Sequence, residues 1–275
     1  MAEVGLIVGR ELRKNLRSIK GLILCALALL GGFGTTMLLL WVEKMKRQSA
    51  ADLSSDQLHA IREAGLSKVY GEEQGKYLAD APEVLLLMLL ITIWVGPLFI
   101  ALMGFDGISG ELQHRSVRYW TVRTRRASFY VGKFVGSWAV VSTVTFALNL
   151  VVWIATMARG EATLASCVSW GLRFWLVSLP IGAAWCGIAT LVASQFRTPM
   201  LSLLVTFAAF FVIWLVYIIG GVTGRAWMMH IYPNYYDVYL LSPKLDQFAK
   251  GLGACLGFAG ATTALGAYVF TRRDL

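Results

Sequence analysis

The seven residues GEEQGKY, Gly71–Tyr77, come nearest to chemistry that would define a function outright. A phosphate-binding loop needs a glycine, four residues, then Gly-Lys and a Ser or Thr, so that backbone N–H groups and the lysine hold phosphates while the hydroxyl meets Mg²⁺. Here three residues separate the glycines and a tyrosine follows the lysine. The stretch is rejected as a nucleotide site, so any ATP hydrolysis tied to this chain must come from another one.

Other reactive side chains are sparse. His59, His114 and His230 are the three histidines, and each lies outside the long apolar runs. Neither HExxH nor GxSxG occurs, and no paired carboxylates fall within a run, which leaves no basis for a metalloprotease, a serine hydrolase or a proton relay. Met228, Met229 and His230 offer thioethers and an imidazole, a soft donor set for Cu(I). Three adjacent residues in an aromatic-rich segment more often pack, and no metal site is expected. Cys25, Cys167, Cys186 and Cys255 lie in or at the edge of apolar runs without CxxC spacing, so they read as free buried thiols. Arg173 is the one cation inside an apolar run. At mid-bilayer it would cost about 3 kcal/mol, but near a helix end it can snorkel to water, with a cargo contact as the second reading.

Charge concentrates instead in GFDGISGELQHRSVRYWTVRTRRASFYVGKF, Gly104–Phe134, which holds five arginines and a lysine. Ser109 suits an N-cap, and Glu111 would then sit in the first turn, where the helix dipole favours an anion. Leu112, Ser116, Tyr119 and Trp120 fall on one face of the helix that follows, with Arg115 and Arg118 elsewhere. A second element starts near Arg125 and runs on through Lys133. A solvated basic loop would explain the arginines, but not a capped amphipathic helix bearing a tryptophan.

The elements that position these residues follow from composition. Of 275 residues 57% are hydrophobic and 15% charged, against about a quarter charged in soluble domains, and mean hydropathy is +0.63. The apolar excess falls into six runs long enough to cross a bilayer: Gly21–Val42, Val84–Phe105, Phe134–Met157, Trp170–Val192, Met200–Val222 and Gly251–Phe270. Lipid offers the backbone no hydrogen bonds, so these must be helices, and the strict alternation of a membrane barrel is missing. Met1–Lys20 is charged and the first run is too long for a cleaved signal, so no signal peptide is expected.

Ahead of the first run, Val4, Ile7, Val8, Leu12, Leu16 and Ile19 recur at helical spacing opposite basic residues, which predicts an interfacial amphipathic helix over residues 1–20. With six spans both termini share a side. That side carries fourteen Lys and Arg against five acids, the whole +9 of the chain, and is assigned to the cytoplasm. The same rule accounts for the basic pI, so no nucleic-acid partner is expected. The outer loops are residues 43–83 and 223–250, with a short loop between the third and fourth spans. In the first, Ser54 with Gln57 predicts a capped helix ending at Gly65. Trp41, Trp153, Trp170, Trp227, Tyr232, Tyr235 and Tyr236 read as an outer aromatic belt. Gly132 with Gly136, and Gly253 with Gly257 and Gly260, suit close helix packing. The whole chain reads as one all-α membrane domain.

DGISGELQHRSV…VRTRRASFYVGKF resembles the signature of ABC type-2 (type V) exporter permeases, matching at Ile108, Ser109, Glu111, Gly132 and Lys133. It departs at His114, where an acid is common, at Ser116, where glycine is common, and at Arg123–Arg126, which lack the usual proline. GRELRKNLRS near the N-terminus and FTRRDL at the C-terminus are similar to the family's ends. The resemblance implies that residues 106–133 form a cytoplasmic coupling loop whose helix docks on a separate ATP-binding subunit, with Ser109, Glu111, Leu112, Arg115, Arg118, Trp120 and Lys133 as coupling residues. It further implies two ATP-binding subunits carrying ATP and Mg²⁺, a second permease subunit (identical or paralogous), contact with membrane lipid, no cofactor bound by this chain, and export across a bacterial inner membrane. The other reading is a non-transporting anchor that passes ATPase motion to outer partners.

Overall fold

The computed structural model describes residues 2–49, 54–158, 160 and 162–273. Residues 50–53 of the first outer loop, and Asp274 and Leu275 of the C-terminal motif, lie outside them. The described residues form helices only: α1 (Ala2–Arg17), α2 (Ile19–Ser49), α3 (Ser55–Tyr70), α4 (Glu72–Ala79), α5 (Glu83–Gly104), α6 (Ser109–Gln113), α7 (Val117–Arg123), α8 (Arg126–Ala158), α9 (Leu164–Ala193), α10 (Pro199–Thr223), α11 (Ala226–Met229), a 3₁₀ turn (Pro233–Tyr236), α12 (Asp237–Leu240) and α13 (Leu245–Arg272). Helices α2, α5, α8, α9, α10 and α13 are long and apolar enough to span a membrane, and they carry the six expected runs in order. Several outrun the bilayer. The 33 residues of α8 rise roughly 50 Å against a hydrocarbon core of about 30 Å, so its first turns stand clear of lipid.

Helix α9 is the centre of the bundle. Two-thirds (67%) of its spanning window is buried, against 11% for α2 and 17% for α10, because α5, α8 and α13 all pack on it. Trp185, Cys186, Ala184 and Phe174 are almost fully enclosed. The flanking helices instead show Leu22, Leu27, Leu30, Leu204 and Phe211 outward, as lipid-facing helices should.

Away from the basic end, four parts of the sequence reading change. Ser54 caps α3 as expected, with Ser54 N–H donating to Gln57 Oε1 at 2.9 Å and Gln57 N–H donating to Ser54 Oγ at 3.3 Å. The helix runs through Gly65, however, and stops at Gly71, whose φ of 92° L side chains rarely adopt. GEEQGKY is therefore a helix break plus α4, not a loop around a phosphate. Trp153 and Tyr232 are core residues rather than belt residues, whereas Trp41 and Trp227 are exposed. In α13, a Cβ at Gly253, Gly257 or Gly260 would meet no other element within 4 Å among the described residues.

The largest difference is that residues 223–250 are not simply an outer loop, because their 3₁₀ turn dips into the bundle. Pro97 has no N–H to give the carbonyl of Ile93, four residues earlier in α5. Asn234 Nδ2 donates to that carbonyl at 2.9 Å and to Tyr232 Oη at 3.1 Å, while its Oδ1 accepts Trp185 Nε1–H at 2.7 Å. The amide thus satisfies a backbone group that a proline orphaned inside a membrane.

Candidate functional site

The basic end of the bundle converges on one lysine. Lys133 opens the third turn of α8 and is 1% exposed. Its Nζ donates to Glu11 Oε1 of α1 at 2.7 Å and to Glu111 Oε1 of α6 at 2.5 Å, and both carboxylates are themselves buried. Arg10 lies 3.5 Å from Glu111 and stacks its guanidinium 4.2 Å from the Trp120 ring of α7. Two anions and two cations therefore balance, with only Arg10 partly in water. An unpaired charge at such a site would cost several kcal/mol, so the four residues stand or fall together.

Small residues make this closeness available. A Cβ at Gly132 would lie 2.8 Å from the Ile7 Cβ, and one at Gly136 would lie 2.8 Å from the Glu11 Cβ. The glycine pair expected to serve span packing instead seats α1 on α8. Helix α1 accordingly turns part of its apolar stripe to protein. Ile7 is buried and Leu12 packs beside Met103 and Val140, Val4 is half-buried, and Leu16 stays exposed. A compact apolar cluster of Ile7, Ile108, Leu112, Val117, Phe129, Tyr130 and Phe270 underlies the charges.

Two details of the expected coupling helix change. Ser109 does not cap it. The chain is already helical at Ile108, and Ser109 Oγ, fully buried, bonds back to the carbonyl of Phe105. Nor is Ser109–Trp120 one helix, since Arg115 at φ 55° breaks it into α6 and α7. Glu111 and Leu112 are consequently interior, while Arg115, Arg118 and Tyr119 are exposed and Val122 is 86% exposed.

Glu11 was missed entirely. It lies four residues on from Ile7 and three on from Val8, within the apolar stripe of α1, and an acid at that place was the signal that could have found it. Basic residues read as topology signals also prove to close the end of the bundle. Arg126 donates to the carbonyls of Thr271 and Arg273 at 3.1 and 3.0 Å, and Arg273 donates to Ser194, so orphan C-terminal carbonyls of α13 and α9 are filled by side chains.

At the opposite end, Arg173 donates to Tyr77 Oη at 2.6 Å and to the Ser242 carbonyl at 2.8 Å, joining the two outer loops. Met228 and Met229 pack against Gly220, and His230 meets Tyr235 edge-to-face and stacks with Tyr236; no group of three metal-binding side chains occurs among the described residues. Asp237, half-buried at the start of α12, has its carboxyl pushed by burial from an ordinary 3.8 to about 6, with only the Val238 N–H pulling it back. A raised folded-state value means the acid destabilises the fold once ionised, so stability is lost as pH rises between these values. Asp237→Asn is expected to raise the thermal midpoint at pH 8, by the equivalent of about 1–3 kcal/mol, and to leave it unchanged at pH 3.5. Melting curves across pH check this, and a pH-independent difference would count against it.

Six spanning helices, amphipathic α1 and the tied basic end define a multi-pass, all-α membrane protein. Residues 6–275 match the family described as ABC-2 family transporter protein, and the chain belongs to that family. It is thus a membrane component of an ABC transporter, which implies an ATP-binding partner. No curated protein matches the sequence.

Proposed function

We propose that the chain is the permease subunit of an exporter, driven by ATP hydrolysed on a separate cytoplasmic subunit. The observation that carries this reading is the buried Glu11–Lys133–Glu111 link, which fastens α6 and α1 to the start of a spanning helix. Glu111 and Lys133 hold the connection inside the chain, and α7 is the docking element. It presents Val122, Tyr119 and Arg118 outward while Trp120 holds it to α1 through Arg10. A push on α7 would then reach α8 as a lever, because a well-packed, ion-paired joint moves as a unit rather than deforming.

The complex would contain two such permease chains, identical or paralogous, and two ATP-binding subunits in a bacterial inner membrane. Both termini would be cytoplasmic, since α1, α6, α7 and the end of α13 all lie at the basic end. Orientation is the decisive test, because ATP is cytoplasmic. A cysteine at the exposed Trp227 is expected to react with an impermeant thiol reagent added to intact cells, and one at the exposed His114 only after lysis. The reverse pattern would put α7 outside and end this reading.

A further inference from the structure

We propose that Arg173 anchors one anionic glycerophospholipid of the outer leaflet, in a crevice between α9 and the start of α13. The crevice is walled by Trp170, Leu172, Leu176, Leu245 and Phe248, with Arg173, Tyr77 and Ser242 at its polar end. Ser169, Leu172, Arg173 and Leu176 follow helical spacing, so one stripe of α9 carries both the cation and an apolar track. Leu172 is 39%, Leu176 51% and Leu245 81% exposed, which leaves the track open to the acyl region.

Charge selects the occupant. No carboxylate among the described residues pairs with Arg173; the neighbouring ion pair, Lys244–Glu73 at 2.6 Å, is complete without it. The guanidinium uses one nitrogen on the Tyr77 hydroxyl and the other on the Ser242 carbonyl, and its carbon sits 4.5 Å from the Tyr77 ring. Five N–H donors against two neutral acceptors leave donors unused, and the charge has no anion beside it among the described residues. Depth fits as well. Arg173 is the tenth residue of the 30-residue α9, so it lies roughly 14 Å from the outer end of a helix about 45 Å long. With a hydrocarbon core of about 30 Å, that is roughly a turn inside the boundary, from which an upward-reaching arginine meets the phosphate and glycerol level. A phosphate on Arg173 and an acyl chain along Leu172 and Leu176 would fill the site from within the leaflet. The leaflet named rests on the orientation proposed above; the site itself does not depend on that or on the direction of transport.

Full-length chain is reconstituted in nanodiscs of equal phosphatidylglycerol and phosphatidylcholine, released into mild detergent, and its retained lipid identified by native mass spectrometry. Wild type is expected to retain one phosphatidylglycerol, favoured over phosphatidylcholine by about fivefold, the effect of one arginine near an anionic group. Arg173→Gln should erase that preference and Arg173→Lys should keep most of it. Leu176→Trp fills the crevice without touching the Arg173 hydrogen bonds, and should erase the preference even if Arg173→Gln fails to fold. Equal retention of both lipids by wild type, or an undiminished preference in Leu176→Trp, overturns the site. So does displacement of the lipid by millimolar glycerol 3-phosphate, which would make it a site for free anions.

Discussion

Lys133→Met is expected to lower the stability of the chain by about 3–5 kcal/mol, since it strands the buried Glu11 and leaves Glu111 only the partly exposed Arg10 at 3.5 Å. The side chain is nearly isosteric, so cavity formation contributes little and the loss reports the charges. In a chain of this size that is a fall in thermal midpoint of roughly 10 °C. The triple variant Glu11→Leu, Lys133→Met, Glu111→Leu should recover most of it, because apolar replacement of a whole buried ion cluster is often neutral or stabilising. Arg10 would lose its carboxylate, but its side chain is 42% exposed and can be solvated. Melting in detergent of the single and triple variants separates the cases. A single variant that melts within a degree or two of wild type would mean that the joint does not bind α1 to α8.

The six spans were legible because lipid leaves the backbone no choice: length and apolar content alone dictate helices. The joint at Lys133 was legible only in part. Gly132, Lys133 and Glu111 were visible as a pattern, but pairing depends on which face α1 presents, and an amphipathic helix beside a bilayer looks the same whether it lies on lipid or on protein. Glu11 interrupts the apolar stripe of α1 four residues on from Ile7, a mark left unread, and it has room to be buried there because Gly136 carries no side chain. The break at Arg115 left no mark at all, since no glycine, asparagine or proline sits there to favour the left-handed backbone. Asn234 could have been found by asking which donor would serve the carbonyl that Pro97 abandons. That question pairs residues 141 apart, and no local pattern prompts it.

Val122→Asp is expected to release the ATP-binding subunit while leaving the permease folded. The residue is 86% exposed on α7, next to Tyr119 at 57%, so in the isolated chain an aspartate there is simply solvated and should shift stability by no more than about 0.5 kcal/mol. An exposed valine and tyrosine on a short element fixed by the Arg10–Trp120 stack have the form of an interface anchor. If α7 seats in a cleft of the partner, the new carboxylate loses its water against an apolar pocket, a change of about 2 kcal/mol or more at an anchoring position. Affinity should then fall by roughly 30-fold or more, seen as loss of the co-expressed ATP-binding subunit from tagged permease and of ATP-dependent transport, at an unchanged melting midpoint. The contrast with Lys133→Met is informative, because that variant acts on the joint behind α7 and should lower the midpoint whether or not the partner is present. Val122→Asp that copurifies its partner at the wild-type ratio would show that α7 faces water in the complex, and the coupling surface would have to lie elsewhere on the basic end.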